Sequence, residues 1–563
     1  MTRNSIYTVL LALLAGTTAT YAQSEYRYDD ATQLWRLTDN AAGLAVDSSR
    51  NRGYAQIGVE HWDGDYARVQ EGRQTNQLRF ETERYQKIGK YLYGYGRFDF
   101  DYGRTKHHAW CDVSNPYNAA PYFPGSAIEG SYDFQDFNFT AALSSAKIGA
   151  WSFGMRLDYN VGDLSRLRDP RSRSMQLDYK VTPGVTYSFG SNTLGLTANY
   201  HRRKEKIDGV KTVQTNATIP YYTMSGMEHA IGTVSGYTSY KREWVDHRFG
   251  GELAYGYASP AYSMLAAASI DRGSENIYGQ YMYEEGKYVD YNYAFRLHNR
   301  IKGEGLLHEV DVKLAYNQGY ADEYRQKYEY ESADDKQTKE YTYPVRQPDG
   351  TITYETKTVT ATSQHSSQYY TTLLVLKKRY QVKVFNTDIH YRLNFVEATA
   401  TATATATGTG TATGTSTATG TGTGTGAVKG YMGLRFFTND AKNCYLLPSS
   451  DLHYGSCNID LEGGLRTLRQ RLWIDAGLTL HFKSTADLNL ADNTTDYAQG
   501  VLLPDMNYYN ANYWQGRLAL TYSFPLKIKG KNTIWYVRAQ GDYLHTNNSL
   551  NNKSIGLTLG MYN

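Results

Sequence analysis

Between Trp151 and Val161 the chain alternates strictly between two kinds of side chain. Trp151, Phe153, Met155, Leu157, Tyr159 and Val161 are apolar or aromatic; Ser152, Gly154, Arg156, Asp158 and Asn160 between them are small or polar. Successive side chains of a β-strand point to opposite faces, so the segment predicts a strand with one apolar and one wet face. The pattern recurs in Leu92 to Asp101, Val310 to Asn317, Asp388 to Phe395, Leu472 to Phe482, Trp535 to Tyr543 and Ile555 to Tyr562. Each segment is about ten residues long, as a tilted strand needs to cross a bilayer, whereas soluble strands are mostly about five or six. The apolar faces often end in Tyr, Trp or Phe, as an aromatic girdle would, and the wet faces carry both Arg and Asp, which suits a watery lumen. The pattern predicts an all-β fold: a single transmembrane antiparallel β-barrel. Nineteen candidate spans, the first at 53–62 and the last at 553–562, with 368–379 and 382–396 counted separately, place the total at roughly 14 to 20 strands, even in number.

Between the candidate strands lie polar, turn-rich stretches at 103–130, 207–240, 320–362 and 484–510, expected as long extracellular loops. Pro348-Asp349-Gly350 reads as a hairpin tip extending one of them. A tract from Ala398 to Ala427 contains only Thr, Ala and Gly apart from Ser416. With no bulky side chain to offset the entropy of ordering, it reads as an insertion looped out between two strands; a glycosylated or adhesive surface loop is the alternative.

The N-terminus adds an address. Arg3, the apolar run Val9 to Ala15 and the small-x-small site Thr20-Tyr21-Ala22 form a secretory signal peptide, residues 1–22. Residues 23–52 are then a short N-terminal segment, a plug or a periplasmic tail, and 53–563 the barrel. The segment is too short for the folded plug domain of energy-coupled receptors. Composition narrows the class further. Of 563 residues 54 are Tyr and 51 Gly, and 59 Lys+Arg nearly balance 56 Asp+Glu, which argues against a nucleic-acid partner. Mean hydropathy of −0.60 excludes a bundle of transmembrane helices. Of three cysteines, Cys444 and Cys457 are the pair that export would allow to bond, with Cys111 left over.

Candidate chemistry is sparse. The sequence has no nucleophile elbow, no phosphate-binding loop and no His-Glu-x-x-His zinc helix. His107, His108 and Cys111 form the one metal-like cluster and read as a solvated loop. Asp388 and His390 share a wet face two residues apart, as a barrel hydrolase would require. The lumen-lining candidates are opposite charges close together on wet faces: Arg97 with Asp99, Arg156 with Asp158, Asp388 with Arg392, and Arg538 with Asp542. They predict a cross-braced wall, or, in the functional alternative, a selectivity lining.

The stretch Leu34 to Leu44 contains Asn40-Ala41-Ala42-Gly43-Leu44. It resembles the Asn-Pro-Ala-Gly-Leu start of the long-chain fatty-acid transporter superfamily, with Ala41 in place of the proline. That resemblance implies a small plug with Asn40, Ala42, Gly43 and Leu44 in the lumen. Over most of residues 30–563 the chain more closely resembles a Tyr-rich family of outer-membrane β-barrel proteins of unknown function from Gram-negative gut commensals. The expected location is the cell outer membrane. The expected function is a passive channel or transporter for a small or amphipathic solute, not an enzyme, with no cofactor. Its expected partners are outer-membrane lipid, the solute and an outer-membrane protein. The alternatives are a non-conducting scaffold or accessory subunit of an uptake or secretion complex, and a barrel hydrolase.

Overall fold

The computed structural model describes residues 22–563 apart from 118, 214–218, 234–239, 350–351, 400–424, 447–448, 468–470, 529–530 and 563. The signal peptide expected at 1–22, except for Ala22, and most of the Thr/Ala/Gly tract therefore lie outside the described residues. Eighteen antiparallel strands form one closed sheet. Each strand pairs with its successor in the wall, and the last, Asn551–Tyr562, closes on the first, Arg52–Gly64, from Tyr54 opposite Tyr562 to Gly64 opposite Asn552. Closure leaves no sheet edge for the membrane to satisfy, which is why a polar backbone can span lipid here.

The alternation decides which way each strand faces. Phe153, Met155 and Tyr159 are exposed on the outside, while Ser152 is buried and Arg156 and Asp158 bond to each other inside. The outer band ends in aromatic pairs at both levels: Trp151 against Tyr187 at one end, Tyr293 against Tyr316 and Trp514 against Tyr543 at the other. Trp535 and Tyr543 stand eight residues apart on one outer face, about 26 Å along the strand, which matches the apolar band of an outer-membrane barrel. The protein is an outer-membrane β-barrel.

The turns at 89–91, 146–150, 190–191, 259–261 and 303–305 are short and share one end of the barrel, the periplasmic one. The segment at 22–51 enters from that end. The flanks of the Thr/Ala/Gly tract are at that end too, where Thr399 lies opposite Thr425 in a ladder between the descending strand Ile352–Thr399 and the ascending strand Thr425–Tyr445. An adhesive surface loop would belong at the other end. One expected strand also changes. Spans 368–379 and 382–396 are a single strand, Ile352–Thr399, which pairs with Leu306–Arg346 in a hairpin that runs far past the wall.

The cysteines do not pair. Cys444 lies opposite Asp451 and Cys457 opposite Thr438, six residues apart along the ladder, about 20 Å and far beyond disulfide reach. Cys111 is buried and donates to the Val113 carbonyl oxygen at 3.1 Å. Thiol titration of the denatured protein without reductant should therefore return three free thiols; a single one would mean the register between strands Thr425–Tyr445 and Ser450–Thr467 is wrong.

Candidate functional site in the barrel lumen

The N-terminal segment folds inside the periplasmic half of the lumen. It comprises a helix, α1 (Ala22–Thr32), a single turn at Trp35–Leu37 and a short helix, α2 (Gly43–Val46). Asp47 folds the segment back on itself, its carboxylate accepting the backbone N–H of Leu34 (3.2 Å), Trp35 (2.9 Å) and Arg36 (3.2 Å). Burial pushes this carboxyl up to about 7, against the lowering effect of those bonds.

The wall makes room for it with glycine. The Trp35 ring is 3 % exposed, and a Cβ on Gly195 or Gly256 would stand 2.5 or 3.1 Å from it. Ala254, Leu265 and Ala267 complete its pocket. Asn40 donates from Nδ2 to the Val185 carbonyl oxygen (3.0 Å), and its Oδ1 accepts from Ala42 N–H (3.1 Å); a side chain at Gly184 would collide with that oxygen. Ala42 is fully buried against Gly154, Gly43 lies under Trp35, and Leu44 packs on Tyr85 and Ala142. Asn40, Ala42 and Leu44 thus meet barrel strands from within, while Gly43 packs on the segment's own Trp35.

Ion pairs surround these contacts. Asp39 meets Lys180 Nζ at 2.6 Å and Arg156 at 3.4 Å. Although burial raises its pKa, those two cations hold Asp39 below the ordinary carboxylate value. Arg27 bonds to Asp475 (3.2 Å) and lies 4.3 Å over the Trp473 ring. Arg52 reaches Asp30 and Gln33, each at 3.0 Å, and Arg296 donates to the Leu37 carbonyl oxygen (3.1 Å). Trp35, Asp39 and Asp47 were not singled out from the sequence; their one signal was their nearness to the Asn40 motif.

All eight charged candidates are on lumen faces, but only half pair as expected. Arg97 bonds to Asp99 (2.8 Å) and also to Glu81 (3.1 Å), and Arg156 bonds to Asp158 (2.9 Å). Asp388 and Arg392 do not meet. Asp388 takes Arg435 (2.7 Å) on the next strand, and Arg392 takes Glu462 (2.6 Å) two strands away. Arg538 and Asp542 line one 240 Å³ cavity without forming an ion pair; Asp542 accepts from Gln515 at 3.1 Å, and Arg538 Nε is buried with no hydrogen-bond partner. The hydrolase pair is likewise absent: His390 Nε2 faces Glu462 (3.1 Å), not Asp388. His107 faces Glu129 (3.1 Å), whereas buried His108 stacks on Tyr132, so with Cys111 they form no ligand set.

The outer half of the barrel is filled by its own loops. The described residues of 109–129, 209–240 and 490–512 turn inward and share a core with fully buried Tyr122, Tyr221, Met224 and Val501. A small sheet of Pro124–Gly125, Tyr221–Gly226 and His229–Thr233 lies within this cap. Buried Asp112 ties it to the wall, accepting from Tyr132 and Tyr221 hydroxyls, each at 2.6 Å. Trp244 Nε1 donates to the Tyr122 carbonyl oxygen (2.6 Å), and Tyr122 in turn donates to that of Asp322 (2.9 Å). On the far side a helix, α3 (Leu503–Tyr509), brings Asp505 to the Val69 N–H at 2.8 Å.

Residues 41–563 match a family described only as a family of unknown function, DUF6850. The chain belongs to this family. Among curated proteins nothing matches the sequence. Solved structures with a similar course include the FrpB iron transporter from Neisseria meningitidis in its apoprotein form (9 % identity, 93 % of this chain and 83 % of that one, TM-score 0.38). The outer membrane transporter YddB from Escherichia coli (8 %, 92 % and 81 %, 0.38) and the copper transporter OprC (10 %, 90 % and 81 %, 0.35) are similar to the same degree. In this family member the lumen holds two separate fillings, a polar-bound segment below and an aromatic cap above.

Proposed function

We propose that this protein is a gated outer-membrane transporter, in which the N-terminal segment is the inner plug and the inward loops are the outer gate. The observation that carries this reading is how the segment is held. Its backbone and charged side chains meet the wall through Asp39, Arg27, Arg52 and the Asn40 amide, and one large anchor, Trp35, enters a glycine-lined pocket. Apart from that anchor, the contacts are each modest in free energy and reversible, unlike the continuous apolar interface of a permanent core. The lumen wall between the fillings carries paired Arg, Asp and Glu groups, which suits passive diffusion of a small polar or amphipathic solute once both fillings move.

Single-channel conductance in a planar bilayer tests this, comparing the full chain with a form lacking residues 23–51, at pH 6 and pH 8.5. The full chain is expected to be closed at pH 6, and the truncated form to show open steps at pH 8.5. Steady open steps from the full chain at both values would make it an ungated pore. Silence of the truncated form at both, with heat-modifiable migration showing an intact barrel, would make it a scaffold.

A further inference from the structure

The hairpin of Leu306–Arg346 and Ile352–Thr399 leaves the wall at its outer rim. Strand Glu284–Lys302 accompanies it on one side only as far as Glu323, and strand Thr425–Tyr445 on the other only to Tyr380. Beyond these points two strands continue alone, from Arg325 opposite Leu374 to Arg346 opposite Ile352, about 70 Å of two-stranded ribbon. No described strand pairs with either outer edge there. Every second residue along such an edge presents an unpaired N–H and C=O, a template for another strand.

The two edges are not alike. The rising strand carries ten charged residues between Tyr324 and Arg346, and Pro344 as well. Charge and proline on an edge are the ordinary devices against unwanted pairing. The returning strand has none of them over nineteen residues: from Thr358 to Leu376 there is no Asp, Glu, Lys, Arg, Pro or Gly, and five Thr and two Val raise its strand propensity. At its foot, Leu373 and Leu374 are 67 % and 52 % exposed. One edge is guarded and the other is open.

The geometry points to the 358–376 edge as a docking site for an extended polypeptide segment of a different protein outside the cell, added as an antiparallel strand. A second copy does not fit this role. Copies in one membrane all point their ribbons outward, so two such edges meet only in parallel, the weaker pairing. A free segment approaches in either direction. Backbone hydrogen bonds supply the affinity, and the sparse charge of the edge selects an equally uncharged, β-branched sequence.

The test uses full-length protein in lipid vesicles and a fluorescent synthetic peptide of alternating Thr and Val, with an alternating Thr and Pro peptide as the form unable to pair. The Thr/Val peptide is expected to bind, to slow amide exchange within 358–376, and to bind at least tenfold more weakly to the Ala361→Lys, Ser363→Lys double variant, whose barrel still shows heat-modifiable migration. Equal binding of the proline peptide, absence of binding or of protection, or undiminished binding to the double variant overturns the proposal. Disulfide-linked dimers of Ser363→Cys in the same vesicles also overturn it, in favour of a second copy.

Discussion

Replacing Trp35 and Asp47 together by alanine should release the N-terminal segment from the lumen while leaving the barrel intact. Trp35 fills a pocket that the wall keeps open with Gly195 and Gly256, and removing a buried indole costs about 3–5 kcal/mol. Asp47 accepts from three consecutive N–H groups, those of Leu34 and Trp35 half-buried and that of Arg36 exposed, and the two half-buried donors left unpaired cost at most about 1–3 kcal/mol each. Neither residue belongs to the wall, so closure between Tyr54 and Tyr562 should be unaffected. Hydrogen exchange reads the result directly. Amides at 34–47 should lose most of their protection, and strand amides such as those at 152–160 should keep theirs. Unchanged protection at 34–47 would mean that the ion pairs of Arg27, Asp39 and Arg52 hold the segment unaided.

The strand faces were legible because period two is a local property: Trp151 to Val161 states which side is lipid without knowing any neighbour. Partners were not. Asp388 and Arg392 share a face within one strand, yet the register sets Arg435 beside Asp388, and the curvature of the wall brings Glu462 to Arg392. Arg97 and Asp99 met because no nearer cross-strand group outcompeted their own pairing. Residues 380–381 read as a break between two strands; the chain runs through them unbroken, and the ribbon leaves the wall just before, with Lys378 at φ +52° and register shifts opposite it near Ala321 and Arg325. The cap was invisible for a different reason. Its aromatic residues lie in segments without periodicity, which resemble solvent-facing loops until the barrel mouth encloses them.

That cap should loosen as pH rises through about 7. Asp505 is a buried residue of α3, and the loss of water pushes its carboxyl up to about 7, the Val69 N–H and Arg68 offsetting burial only in part. Its unfolded value is near ~4. A carboxyl whose folded pKa is raised favours the folded cap while protonated. Its contribution is therefore complete below about pH 4, declines through the interval, and is lost once the folded group ionises above about 7. The whole difference corresponds to on the order of 4 kcal/mol, of which roughly 1.4 kcal/mol is lost above pH 6. Exchange protection at 497–509 should fall between pH 6 and pH 8.5 in the wild type and stay constant in Asp505→Asn, which keeps an oxygen for Val69 and cannot ionise. A pH response that persists in Asp505→Asn would assign it elsewhere. If the response does vanish, the truncated chain carrying Asp505→Asn should conduct no better at pH 8.5 than at pH 6, because the outer gate then stays shut when the inner plug is gone.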